Sequence, residues 1–364
     1  MIASNLVHRP IRSLISIVAI ALEVTLILLV VGLLLGMLND SKQRTAGVGA
    51  DVIVLPPGSS FLFGLTGAPM SMKVGTILAK LPHVTTVAPV ITQISTAGAV
   101  EVIAGIDLAS YEKLSGPFHY LEGGPFQGPD DALVDDLFAK SKNVHPGDSI
   151  EILNHNFRVA GIVEQGKGAR KFLQLSVLQD LMGAQGKASI FYLKADNPAN
   201  AEAVADEIKH VPGMERYVAT SMAYYLTMLT PSNIPGLSSA IDVVITISVI
   251  IGFIVIFQSM YTAVMERTRE IGILKSMGAS KLYVVNVVLR ETVLLAIGGI
   301  LLGIAVSLAA RMGIAQRLPL LRVMITADWI VKATLIAMVG AIAGALYPAF
   351  KAAQKDPIDA LAYE

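Results

Sequence analysis

One stretch of this chain has spacing that could hold a nucleotide. Gly161 to Lys167 fits G-x-x-x-x-G-K, the pattern whose backbone amides and lysine cradle phosphates. The next position must carry a hydroxyl for magnesium, and here it is Gly168. A helix should follow such a loop, and no helix is expected here. The stretch therefore reads as a glycine-rich loop leaving a hairpin.

No other grouping points to catalysis. The histidines are His8, His83, His119, His145, His155 and His210, and no two share zinc-ligand spacing. There is no H-E-x-x-H and no G-x-S-x-G. The acidic pairs Asp130-Asp131 and Asp135-Asp136 are expected at a solvated helix start. Met70 and Met72, expected in a flexible loop, are weak candidates for haem contact. With no cysteine, disulfides, thiolate metal sites and cysteine nucleophiles are excluded. A catalytic centre and a resident cofactor or metal are therefore not expected. Any work the chain performs must be driven by another protein.

The elements that position these residues lie partly in lipid. Charged residues are only 15% of the 364, against about 25% in soluble domains, and mean hydropathy is +0.63. Balanced charge, 28 basic against 28 acidic residues, gives no support for nucleic-acid binding. A spanning helix needs about 20 apolar residues. Four stretches qualify: 13–38, 237–264, 284–310 and 329–350. The first is too long for the apolar part of a signal peptide and is expected to be retained. Its only ionisable residue is Glu23. A carboxylate that deep costs about 2.5–3.5 kcal/mol on insertion scales, so it should face protein or a wet cavity. Its alternative roles are packing or an ion pair, substrate contact or a dimer interface, and simple exposure near the membrane surface. The pairs Gly32/Gly36, Gly299/Gly303 and Gly340/Gly344 have the spacing for close helix approach.

Lys and Arg near the span ends set orientation. Arg9, Arg12, Arg267, Arg269, Lys275, Lys281, Arg290, Lys351 and Lys355 fall on one side. Arg311, Arg317, Arg322 and Lys332 fall on the other. Both termini are therefore expected in the cytoplasm. The resulting order is a cytoplasmic segment 1–12, the first span, an extracytoplasmic domain 39–236 and the second span. A cytoplasmic loop 265–283, the third span, an outer loop 311–328, the fourth span and a cytoplasmic tail 351–364 follow.

The outer segment is long enough to bury its own core. Strands are expected at 51–55, 84–90, 97–106, 148–153, 157–163 and 189–194, and helices at 74–81, 131–142 and 199–210. Asn154-His155-Asn156 should form the turn of a hairpin. This is an α+β pattern. Phe61, Leu62, Phe63 and Leu65 lie in a Gly/Pro-rich stretch that suits either a loop or a contact surface.

The loop between the second and third spans is the most informative segment. It reads Met265-Glu-Arg-Thr-Arg-Glu-Ile-Gly-Ile-Leu-Lys-Ser-Met-Gly-Ala-Ser-Lys-Leu282. Glu266, Arg269 and Glu270 have helical pair spacing, so the span is expected to continue as a charged helix. Ile271, Ile273, Leu274 and Met277 supply apolar contacts, and Gly278-Ala279-Ser280 ends that helix and starts the next. The expectation is a stiff amphipathic knob.

That segment resembles the signature E-R-T-R-E-I-G-I-L-[KR]-x-[ML]-G-A-S of ABC-transporter permeases of the FtsX/MacB/LolC type, which stands at Glu266 to Ser280. The ending at Asp356 to Glu364 resembles the family's D-P-[IV]-x-A-L-x-x-E. The resemblance implies four transmembrane helices, a large α+β extracytoplasmic domain after the first, and pairing with a second, identical permease subunit. It also implies a separate cytoplasmic ABC ATPase dimer that brings ATP and magnesium. That ATPase would dock on Glu266, Arg267, Arg269, Glu270, Ile271, Leu274, Lys275, Gly278, Ala279 and Ser280. Its cycle would move the outer domains, a mechanotransmission device in the bacterial inner membrane. A periplasmic adaptor and an outer-membrane duct are further implied partners. The expected role is export of a hydrophobic or amphipathic substrate: a drug, peptide, lipid or lipoprotein. The alternative is FtsX-like signalling to a cell-wall hydrolase. The size of the outer domain favours export.

Overall fold

The computed structural model describes residues 10–59, 68–95, 101–234 and 236–354, with the side chains of residues 10–12 and Glu101 also left aside. Phe61, Leu62, Phe63, Leu65 and the ending from Asp356 lie outside the described residues. The chain forms two compact units. One comprises Met1–Gly36, Gly236–Gln316 and Val323–Glu364; the other comprises Met37–Pro235 and Arg317–Arg322.

The first unit is helical. Its elements are α1 (Pro10–Ala46, as far as Gly36), α8 (Leu237–Glu266), α9 (Thr268–Ser276), α10 (Lys281–Arg317) and α11 (Ala327–Gln354). Four helices among the described residues are long and apolar enough to cross a membrane, within α1, α8, α10 and α11. Ile20, Val24, Ile27 and Val31 of α1 meet Ile256 and Met260 of α8 and Leu295 and Ile300 of α10 in one core. Ala333, Ala337, Ala341 and Ala345 form a fully buried stripe on α11 at four-residue spacing. Small side chains on one ridge let neighbouring backbones approach closely. Ser16 and Ser259 join α1 to α8 by a hydroxyl–hydroxyl bond of 2.6 Å.

Apart from Arg317–Arg322, the second unit runs in sequence from the end of the first long helix to the start of the second. Its strands are β1 (Val52–Leu55), β2 (Met70–Ser71), β3 (Val84–Ser95), β4 (Glu101–Ile106), β5 (Tyr120–Gly123) and β6 (Asp131–Asp135). They continue with β7 (Ser149–Ile152), β8 (His155–Val163), β9 (Lys171–Gln174), β10 (Lys187–Ala188), β11 (Ile190–Ala195) and β12 (Val218–Ser221). The helices are α2 (Met72–Leu78), α3 (Leu108–Ser115), α4 (Asp136–Lys142), α5 (Leu175–Leu181), α6 (Ala201–His210) and α7 (Met222–Met228).

The main sheet runs β12-β1-β11-β3-β4-β9-β6-β8-β5, with β7 added to β8, and β2 pairs β10 separately. It is antiparallel except for β4/β9 and β6/β8. Both faces are covered. On β1, Ile53 and Leu55 enter one core while Val52 and Val54 enter another. This is the period-two alternation of a strand buried on both sides.

Several local expectations need correction. Residues 131–135 form strand β6, and only 136–142 are helical. Ala132, Leu133 and Val134 are fully buried, on alternate faces. Asp135 then caps α4, its Oδ1 accepting from Phe138 N at 2.7 Å. The acidic pairs are not uniformly solvated: Asp131, Asp135 and Asp136 are buried. The hairpin turn falls at Leu153-Asn154, both with positive φ (53° and 62°), because His155 already belongs to β8. Met70 sits in β2, packed in a core with Met72 against it, so neither is a loop residue.

Candidate functional site

The knob forms where α8, α9 and α10 meet. The α8 helix does not run on as a charged helix, contrary to expectation. It ends at Glu266, Arg267 leaves helical geometry (φ −105°, ψ 16°), and α9 starts afresh at Thr268. Arg267 Nη1 donates to Glu291 Oε2 on α10 at 2.8 Å, both side chains being largely buried. This tertiary pair holds the break. Thr268 is buried, and its hydroxyl donates to Met265 O at 2.8 Å.

The other end of α9 is fixed by backbone. Gly278 N donates to Lys275 O and Ala279 N to Leu274 O, both at 3.0 Å, with Gly278 at φ +94°. This is a Schellman ending, which needs a left-handed residue after the cap. Ser280 Oγ then accepts from Tyr283 N at 3.2 Å and caps α10. Lys275 Nζ donates to Ala353 O of α11 at 3.0 Å. Ile271 packs with Val264, Val284, Val285, Ala349 and Ala352.

The ten named residues therefore divide. Ile271 is buried, Arg267, Lys275 and Leu274 are half-buried, and Ala279 is partly covered. Glu266, Arg269, Glu270, Gly278 and Ser280 are exposed. Beside them lies a groove of about 300 Å³ lined by Arg267, Glu270, Ile271, Leu274, Tyr283 and Glu291, among others. Ile273, Met277, Leu282 and Tyr283 are exposed on the same segment, Met277 at 71% and Leu282 at 77%. Sequence reasoning did not assign Glu291 to the site. The signal was an ionisable residue in the opening turns of an apolar span.

Glu23 is 4% exposed inside the helical unit. It packs against Gly252 of α8, where any Cβ would overlap its carboxyl group, and near Gly340 of α11. No hydrogen-bond partner for either carboxyl oxygen lies among the described residues.

The loop at 161–168 has a structural task. Lys167 Nζ donates to Ser115 O, Gly116 O and Pro117 O at 3.1, 2.7 and 2.7 Å, closing the carbonyl end of α3. Strand β9, not a helix, comes next. Partial burial holds its ammonium below the usual lysine range.

Within the outer unit lies a buried charge cluster. Arg170 donates from Nη1 to Asp135 Oδ2 at 2.9 Å and from Nη2 to Asp40 Oδ2 at 2.8 Å. Arg44 Nε lies 3.1 Å from the same Asp40 oxygen. Arg322, of the Arg317–Arg322 segment, hydrogen-bonds Gln165. Burial raises the Asp135 carboxyl to about 6 against the pull of Arg170. No metal-binding group of three or more acidic or histidine residues occurs among the described residues.

Two family models match. Residues 13–211 match the MacB-like periplasmic core domain, and residues 243–357 match the FtsX-like permease C-terminal region. The macrolide export ATP-binding/permease protein MacB of Shewanella sp. (strain W3-18-1) is 27% identical over 98% of this chain and 59% of its own length. The uncharacterised ABC transporter permease YknZ of Bacillus subtilis (strain 168) is 38% identical over 32% of this chain and 30% of its own. The crystal structure of the periplasmic region of MacB from Actinobacillus actinomycetemcomitans aligns over 50% of this chain and 94% of its own, with 14% identity and a TM-score of 0.39. The chain thus spans less than two thirds of the length of each of these two relatives.

Proposed function

Because this chain belongs to the MacB-like, FtsX-type family of ABC-transporter permeases, we propose that it turns the ATP cycle of a docked ABC ATPase into motion of its outer domain. One observation carries this reading. The segment Glu266–Ser280 presents a rigidly capped helix, an apolar rim and a charged edge beside an open groove. Such a surface suits a partner that must grip and push. Pinning α9 at both ends supports force transfer, since a floppy loop would absorb the displacement.

The positive-inside count supports placing this knob in the cytoplasm and the sheet domain outside, in the inner membrane. ATP and magnesium enter only through the ATPase. A second, identical permease subunit completes the unit. Export of a hydrophobic or amphipathic molecule, with an adaptor and outer duct, is the working assignment.

Pull-down of the tagged chain in mild detergent, followed by mass spectrometry, tests this. Recovery of an ABC ATPase with a long periplasmic adaptor supports export. An ATPase with a cell-wall hydrolase turns the assignment to signalling. Recovery of no ATPase under several conditions overturns it.

A further inference from the structure

A groove of about 540 Å³ runs between α8 and α11. Its walls are apolar throughout and include Ile245, Val249 and Phe253 of α8 and Leu335, Ile336 and Val339 of α11. Leu335 and Val339 are exposed. The two helices run side by side in one direction. Gly252 and Gly340 both face Glu23, and a Cβ at Gly344 would meet Phe253 O at 3.0 Å and Phe257 N at 3.3 Å. The lining stretches Ile245 to Phe253 and Leu335 to Ala343 each rise about 12 Å, against about 15 Å for one leaflet's share of the hydrocarbon core.

Charges stand at the outer mouth of this groove. Asp242 lies three and seven residues before Ile245 and Val249, so it shares their face of α8. Lys332 lies three and seven residues before Leu335 and Val339, on their face of α11. The register fixed at Gly344 brings Asp242 and Lys332 to the same level, and both are exposed. Lys332 Nζ lies 2.8 Å from Asp328 Oδ2 and 4.9 Å from the centre of the Trp329 ring. An ammonium carries three donors, so this contact leaves donors for a further acceptor.

We propose that the groove holds one acyl chain of a phosphatidylethanolamine of the outer leaflet. Its phosphate pairs with Lys332, and its ammonium meets the carboxylates of Asp242 and Asp328. Charge complementarity selects this occupant. Two carboxylates against one ammonium leave the mouth negative, which disfavours an anionic head group. A zwitterion brings both an anion for Lys332 and a cation for the two aspartates. A primary ammonium also donates charge-assisted hydrogen bonds to carboxylates, which a quaternary choline cannot do. The inference takes only the leaflet from the permease reading.

The chain's single tryptophan, Trp329, is the reporter. The full chain is placed in nanodiscs of phosphatidylcholine. A minor share of the lipid is then replaced by phosphatidylethanolamine, phosphatidylglycerol or phosphatidylcholine brominated near the top of one chain. Bromine quenches a nearby indole. Brominated phosphatidylethanolamine should quench Trp329 about threefold more strongly than either of the others. Lys332→Gln, and Asp242→Asn combined with Asp328→Asn, should each bring the three lipids to within about 1.5-fold of one another. Every ratio is taken against the same variant's unquenched emission. Should these variants fail to insert, Val339→Phe fills the groove from an exposed position and should give the same loss of preference. Equal quenching by the three lipids in wild type overturns the proposal, as does a preference that survives in the charge variants. A disulfide between two copies of Val339→Cys in native membranes would place a second subunit in the groove and also overturn it. None of these outcomes depends on ATPase recovery in the pull-down, so the two readings fail separately.

Discussion

Arg267 and Glu291 sit 24 residues apart and join at 2.8 Å across the mouth of the groove. The pair stands where α8 stops and α9 starts. Removing one partner takes a charge-assisted bond from the other in a largely buried place. Arg267→Met should cost about 3 kcal/mol, the low end for breaking a buried pair. Arg267→Met with Glu291→Leu should recover most of that loss. Thermal unfolding of the four species in detergent, set out as a double-mutant cycle, measures the coupling.

Glu270 is exposed in the first turn of α9, away from the Arg267–Glu291 pair and the Gly278 turn that hold the ends of the helix. Glu270→Lys should leave insertion and unfolding temperature unchanged while releasing the ATPase or uncoupling its activity. Unchanged ATPase recruitment and activity in that variant would falsify the docking assignment.

Asp135 gives a pH signature. Its carboxyl is raised by burial to about 6, above the unfolded value near 3.8. The folded chain therefore holds this proton more tightly between about pH 4 and 6. Its contribution to stability is full below that window and declines as pH rises through it. Asp135→Asn should flatten that part of the stability profile, as read from unfolding temperature against pH. An identical slope in wild type and variant would contradict the assignment.

Lys167 closes the end of α3 and has no phosphate to hold in this reading. Lys167→Met orphans carbonyls near the α3 terminus and should cost about 1–3 kcal/mol in thermal unfolding. ATP titration of the isolated permease should give no heat that depends on Lys167.

Gly299 tests how closely α1 and α10 pack. A Cβ there would meet Ile20 Cβ at 2.6 Å and Ile17 O at 2.9 Å. Gly299→Val should therefore destabilise the helical unit by about 1–3 kcal/mol. Gly313→Ala on the same helix, with nothing within 4 Å, should be neutral to stabilising by up to about 1 kcal/mol.

What the sequence made legible follows physical lines. The four long helices announce themselves because lipid demands about 20 apolar residues in a row. The knob announces itself by charges and a glycine between two such runs. The break at Arg267 was invisible locally, since arginine favours helices and the pair that stops it comes from α10. Strand β6 was misread because an apolar triplet between aspartates fits either period. Helices α3 and α5 and strands β9 and β12 are short, and tertiary packing rather than local pattern defines them. Glu23 stood out at once, but its pocket could not be foreseen, because Gly252 lies more than 200 residues away.

Strand β3 carries a last consequence. Its twelve residues bond β11 along one edge and β4 along the other. Ala88 and Val90 enter the core on one face of the sheet, and Ile91 enters a core on the opposite face. The two ends of the sheet thus share a single spine. Splitting the outer unit beside that strand would mean breaking its pairing with β11 over residues 84–90 or with β4 over residues 90–95. A push applied to one edge should therefore swing the whole sheet as a paddle, and proteolysis during turnover should find no new cut within residues 84–95.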